Sequence, residues 1–212
     1  MIVKRFTVGP LGTNCYIVIC EDSKEAIVID PGIHEDEYET VLDRVIRDVK
    51  VRYIVNTHGH FDHIMGNRVL KEKTGASIMI HRADRAMLTD PSLNLSWMLG
   101  LRIVSPPTDI FLEDGTTFAV GDYRFKVIHT PGHSRGSISI LGDGIVFTGD
   151  TLFAGSIGRT DLPGSSFNDL IRSLLDRLMR LPDETKVYPG HGPQSLIGVE
   201  KQNNPYIRAA RI

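Results

Sequence analysis

Cysteine is scarce in this 212-residue chain: Cys15 and Cys20 are the only two, five residues apart in one strand-like segment. An odd spacing within a strand puts two side chains on opposite faces, so the pair lies out of disulfide reach and both are expected as reduced thiols. An excess of charge of either sign is also lacking. Lysine and arginine number 24 against 26 aspartates and glutamates, and the formal net charge of -2 offers no basic field for nucleic acid or an anionic membrane. No apolar run approaches the roughly 18 residues of a membrane-spanning helix. Lys4 and Arg5 fall inside the first apolar segment, which therefore does not resemble a signal peptide. The expectations that remain are a cytoplasmic location and small-molecule partners, with neither nucleic acid nor membrane.

Hydrophobic residues make up 41% of the chain, enough for one sizeable core, and a single compact domain over residues 1–212 is expected. Short β-branched runs bounded by turn residues predict strands at 2–8, 16–20, 26–30, 52–56, 77–80, 123–129, 136–141, 145–148 and 185–188. Helical periodicity predicts helices over 35–48, 63–73 and 166–180. The order is strands, helix, strand, helix, twice over, which divides the chain into similar halves of roughly 1–105 and 106–212. Each half then holds a sheet that needs helices on one face and the other sheet on its second face. The fold class expected is α/β (α+β), a four-layer αββα sandwich. Thr89 to Pro107 fits neither periodicity and is expected to bridge the halves.

The chemistry concentrates where strands end. The run Arg52 to Asn56 leads into His58-Gly59-His60-Phe61-Asp62-His63, three histidines and an acid within six residues. Imidazole and carboxylate suit zinc first, with iron or manganese as alternatives, and positions 58 and 60 can face one ion while 62 and 63 face another. Taken alone, Asp62 could merely cap a helix and each histidine could be a satisfied core residue. The later candidates share one placement, however. His133 follows the strand Tyr123 to His129, Asp150 follows Ile145 to Gly149, and His191 follows Val187 to Gly190, so strand ends converge on one edge.

This ordered set, H-x-H-x-D-H, then a histidine, an aspartate and a histidine, resembles the metallo-β-lactamase superfamily over nearly the whole chain. The branch it is most similar to is the compact glyoxalase II-like hydrolases, through Val28 to Gly32, Thr57 to His63, His129 to His133, Thr148 to Phe153, Gly158 to Asp161 and Gly190 to Pro193. The resemblance implies one metal on His58, His60 and His133, a second on Asp62, His63 and His191, and Asp150 bridging the two. It implies that Asp30 orients a ligating histidine from behind. His34, His81 and His129 match no ligand position. Many β-lactamases of the superfamily take a cysteine ligand in the second half, where this chain has none.

A two-metal site implies a hydrolase in which a metal-bridging hydroxide is the nucleophile and Asp62 orients it and accepts its proton. A thioester such as S-lactoylglutathione suits this machinery, because a thiol of pKa about 8.5 leaves without a general acid. The Gly158-Arg159-Thr160-Asp161 loop departs from the G-K-F-Y-E-G of glyoxalase II proper, leaving Arg159 as the candidate clamp for a substrate carboxylate. Persulfide dioxygenases with a single iron share much of the motif set, and lactonases belong to the same superfamily. Gly132-His133-Ser134-Arg135-Gly136 formally matches the serine-hydrolase elbow, but the alternating Ser137 to Leu141 predicts a strand where that elbow needs a helix. The non-enzymatic alternative is a metal-stabilised binding module whose ligands close the shell.

Overall fold

The computed structural model describes residues 1–34 and 41–210. Six strands form the first sheet: β1 (Ile2–Val8), β2 (Thr13–Ile19), β3 (Glu25–Ile29), β4 (Lys50–Val55), β5 (Ser77–His81) and β6 (Ile110–Leu112), side by side in chain order. The first three pair antiparallel through short turns, and from β3 onward every pairing is parallel. Parallel neighbours need crossovers. These carry α1 (Asp43–Ile46), then α2 (Phe61–Ile64) and α3 (Asn67–Thr74), then two 3-10 helices at Arg82–Leu88 and Ser96–Leu99.

The second sheet holds β7 (Thr117–Val120), β8 (Tyr123–His129), β9 (Ile138–Gly142) and β10 (Ile145–Gly149) as an antiparallel meander. A crossover follows with the ribbon β11 (Leu152–Phe153) and β12 (Ser156–Ile157) and the helix α4 (Phe167–Asp176), whose first turn is capped by Ser166. It returns to β13 (Lys186–Pro189), parallel to β10, and β14 (Ser195–Leu196) closes that edge before α5 (Ile197–Asn203) and α6 (Pro205–Ala209).

Three apolar layers show why the sheets stack. All of β2 is buried because both its faces are covered. Cys15, Ile17 and Ile19 pack with Leu42, Ile64 and Leu70 on the helical side, whereas Tyr16, Val18 and Cys20 enter the layer between the sheets with Phe125, Val127 and Phe147. The outer face of the second sheet, through Val146 and Val187, packs on Leu170, Leu174 and Ile207. The order is helices, sheet, sheet, helices, the expected αββα sandwich. Cys15 and Cys20 are free thiols in separate layers.

Several elements differ from expectation. The helix expected at 63–73 is split, because the Gly66 amide donates to the Pro31 carbonyl (2.8 Å) and the helical ladder is interrupted between α2 and α3. The helix expected at 166–180 gives way after Asp176 to a 3-10 turn at Leu178–Arg180. Of the helix expected at 35–48, residues 35–40 lie outside the described residues and Asp43–Ile46 is helical. The strands β6, β7 and β14 and the helices α5 and α6 are too short to leave a periodic signature. No helix among the described residues is long and apolar enough to cross a membrane.

Phe147 is fully buried between the sheets, with ring centroids 5.1 Å from both Tyr16 and Tyr188. Phe147→Ala is expected to lower unfolding free energy by about 3–5 kcal/mol, read from urea denaturation at fixed metal concentration. A loss below about 1 kcal/mol would show that this layer is not what joins the sheets.

Candidate metal centre

Four strand ends deliver the candidate ligands to one place. The loop after β4 carries His58 and His60, and α2 presents Asp62 and His63 in its first turn. From the second sheet come His133 after β8, Asp150 after β10 and His191 after β13. Of the seven, all but Asp150 and His191 are buried, and these two are partly so.

The side chains divide into overlapping sets able to hold a cation: His58, His60 and His133; Asp62, His63 and His191; and, between them, His58, His63 and Asp150. His60 Nδ1 lies 2.9 Å from His133 Nε2. Asp62 Oδ2 stands 3.4 Å from His63 Nε2 and 3.3 Å from His191 Nε2. Asp150 reaches both groups: Oδ1 is 3.5 Å from His63 Nε2, and Oδ2 is 3.6 Å from His133 Nε2 and 3.5 Å from His191 Nε2. His58 Nε2, both ring nitrogens of His63 and Asp150 Oδ1 are buried without a hydrogen-bond partner. Buried polar atoms are normally paired, and the residues that carry these orphaned atoms all belong to the three sets, so their chemistry fits cations.

The electrostatics split the same way. Burial, reinforced by neighbouring His133, drives His60 down to about 3, and burial with its histidine neighbours lowers His58 as well. Both imidazoles are neutral with lone pairs to give. Burial also penalises charge on His63, but Asp62, Asp150 and Asp30 outweigh it and raise the ring above its ordinary value, so three carboxylates call for positive charge here, which a proton supplies until a cation replaces it. For Asp62 the burial penalty is overcome by His63, His191 and Thr13, and its carboxyl stays well below the usual range.

A supporting layer fixes these groups. Asp30, left-handed at φ +50° before Pro31-Gly32, accepts from the Thr57 amide (2.7 Å) and hydroxyl (2.6 Å), and its Oδ2 lies 3.0 Å from His63 Nδ1, off the hydrogen-bond direction. His133 Nδ1 is 2.9 Å from the Arg159 carbonyl. Thr13 donates to Asp62 Oδ2 (2.8 Å), and Asp62 stands inside the first turn of α2, where His60 holds the N-cap position, so it is not a helix cap. Asn14 and Tyr16 donate to the Pro189 carbonyl, and Asn14 also to that of Gly192, gripping the loop of His191. Space is tight enough to require glycine at two positions. A Cβ on Gly158 would lie 1.7 Å from the Asp150 carbonyl oxygen, and one on Gly190 would lie 2.1 Å from Asp150 Oδ1.

Sequence reasoning missed Asp84. This buried carboxylate on the 3-10 helix Arg82–Leu88 accepts from the Gly59 amide (3.1 Å), the Ser134 hydroxyl (2.6 Å) and the Gly136 amide (2.7 Å), tying the loop of His58 and His60 to that of His133. Ser134 is thereby occupied, and its segment runs on into β9 rather than a helix, unlike a serine-hydrolase elbow. His81 and His129 stack on each other at 4.1 Å, apart from the ligand sets. Arg159 lines the cleft above the centre, but its Nε and Nη2 are bonded to Asp161 at 2.9 and 2.8 Å.

The fold and this site together define the class. The profile of the metallo-β-lactamase superfamily matches residues 8–191, and the chain belongs to that superfamily of metallo-hydrolases. Its similarities run full length. The BLEG-1 B3 metallo-β-lactamase structure is 37% identical with a TM-score of 0.90, covering 97% of this chain and 99% of that one. TTHA1623 in a di-iron-bound form is 37% identical with a TM-score of 0.83, covering 96% and 100%. The hydroxyacylglutathione hydrolase GloC of Haemophilus influenzae is 33% identical, over 99% of both chains.

Asp84→Ala strands two buried amides and a hydroxyl without an acceptor. It is expected to weaken metal binding about 10–100-fold, measured by competition with a chromophoric chelator, with circular dichroism unchanged. Wild-type affinity in this variant would remove Asp84 from the metal centre.

Proposed function

We propose that the chain is a dinuclear metal-dependent hydrolase of thioesters. The observation that carries the reading is the set of overlapping ligand clusters with unpartnered buried atoms. His58, His60 and His133 would hold one cation, Asp62, His63 and His191 would hold the other, and Asp150, close to His63, His133 and His191, would serve both. Zinc suits these donors, and the di-iron form of the similar TTHA1623 supports iron as the alternative. When bound, two divalent cations supply Lewis acidity toward the scissile carbonyl and toward an attacking water.

The protein's own groups do the remaining work. Asp62, ionised and held by Thr13 through Oδ2, orients the attacking water and takes its proton through the other carboxylate oxygen. The Arg159 carbonyl fixes the ring of His133 and Asp30 sets a carboxylate 3.0 Å behind that of His63, so the centre is largely ordered before substrate arrives. Among the described residues, no lysine or tyrosine lines the cleft of about 360 Å³ above the centre. A leaving group that departs unprotonated is therefore favoured, and thiolate meets that condition. Likeness to GloC, named as a hydroxyacylglutathione hydrolase, supports a thioester and makes S-lactoylglutathione the first assay.

Metal analysis of the purified protein is expected to find two ions per chain, with thioester hydrolysis abolished by chelator and restored by metal. Asp62→Ala is expected to reduce kcat about 10²–10⁴-fold. One iron per chain with oxygen uptake on glutathione persulfide would overturn the hydrolase in favour of a dioxygenase. Wild-type turnover in Asp62→Ala would overturn the role given to that carboxylate.

A further inference from the structure

The cleft over the metal centre has walls of a consistent character. Its floor is His60, Asp62, His133, Asp150 and His191. Around that floor the first half supplies Leu11, Phe61, Leu95, Met98 and Leu99, and the second half supplies Phe153 and Leu162. Among the described residues Arg159 is the one lysine or arginine lining it, and Asp161 takes two donors of its guanidinium in a bidentate pair. Among the described residues near the end of the chain, neither Lys201 nor Arg208 lines the cleft: Lys201 on α5 donates to the Leu181 carbonyl and to Asp183, and Arg208 lies on α6, which packs on the outer face of the second sheet.

The apolar wall at 95–99 is a built feature. Asn94, fully buried, donates to the Met87 and Ile103 carbonyls, and its own carbonyl accepts from the amide of Phe61, one residue before Asp62. The Ser96 hydroxyl accepts from the Ile103 amide. Leu95 is held left-handed at φ +67°, a conformation branched side chains resist, with its side chain buried against the cleft. Backbone strain of this kind persists where surroundings over-determine it and clusters at binding sites. Beside it Trp97, Met98 and Leu99 stand 58%, 52% and 52% exposed, an apolar surface fixed in place at the mouth of the site.

We infer that the substrate carries uncharged, apolar groups on both sides of its scissile bond: an aliphatic acyl chain on a neutral thiol, rather than the carboxylates of a glutathione conjugate. The inference rests on the hydrolase reading and narrows its substrate class. Glutathione brings two carboxylates and an ammonium, and burying such groups beside leucine, methionine and phenylalanine without partners is unfavourable. An aliphatic chain covers the same side chains with gain.

The test is a series of acetyl, butyryl and hexanoyl thioesters of N-acetylcysteamine, with S-lactoylglutathione alongside, on the metal-loaded protein. kcat/KM is expected to rise about fourfold per methylene and to exceed that for S-lactoylglutathione at hexanoyl. Met98→Gln and Leu99→Gln are expected to flatten that rise at wild-type metal content. A flat series, or S-lactoylglutathione favoured tenfold over the hexanoyl thioester, overturns the inference and leaves the hydrolase standing. If no thioester is turned over, the hydrolase reading fails, and binding decides. Trp97, the single tryptophan of the chain, is then titrated by fluorescence with the neutral hexyl thioether of N-acetylcysteamine and with S-methylglutathione. A saturable response to the hexyl thioether alone supports apolar recognition, and a response to S-methylglutathione alone, or to neither, overturns it.

Discussion

Asp150 sits between histidines from both halves of the chain, within 3.6 Å of His63, His133 and His191. Bringing these groups so close, mostly out of water, is unfavourable unless something balances their fields, because a buried polar atom without a partner loses its hydration. Protein atoms satisfy part of that demand. Thr13 holds Asp62, Thr57 holds Asp30, and the Arg159 carbonyl holds His133. The atoms left over, on His58, His63 and Asp150, all belong to the ligand sets. The remaining imbalance is one that cations relieve.

The two sheets make this convergence possible. Their shared apolar layer fixes the relative position of β4, β8, β10 and β13, and each candidate ligand stands only a few residues beyond one of those strand ends. Loops that short inherit the rigidity of the sheet. The clamps reinforce it: Asp84 joins the first-half loop at Gly59 to the second-half loop at Ser134 and Gly136, and Gly158 and Gly190 lie so close to Asp150 that a side chain at either would displace it. None of Asp84, Gly158 and Gly190 lines the cleft.

Much of this was legible in the amino-acid sequence, for a physical reason. Histidines and acids at strand ends have no structural use that explains their density, so His58, His60, Asp62, His63, His133, Asp150 and His191 stood out and the structure gathers all of them. The αββα layering followed from two sets of strands that each needed covering. Asp84 left no trace, because its three donors lie 25, 50 and 52 residues away and nothing in Arg82-Ala83-Asp84-Arg85 signals burial. Tyr16 was likewise read only as a strand residue, and Thr13 and Asn14 lay outside every expected element, although β2 begins at Thr13. The segment Thr89 to Pro107 matched no periodicity because Asn94 and Ser96 organise it through side-chain bonds rather than a helix or strand ladder. That irregular segment supplies the apolar wall of the cleft.

The grip of β2 on the loop of His191 has a consequence for how the protein comes into being. Asn14 and Tyr16 bond to Pro189 across 175 and 173 residues of chain, and Thr13 pairs with His191 itself. During synthesis the first sheet can form while its edge residues wait for partners not yet translated, since domains fold from the N-terminal side as they emerge. A chain halted between residues 133 and 191 carries His58, His60 and His133 but lacks one member of the cluster Asp62, His63 and His191. Closing that second cluster therefore waits on a contact between an early strand and a late loop, and a truncation before His191 leaves it open.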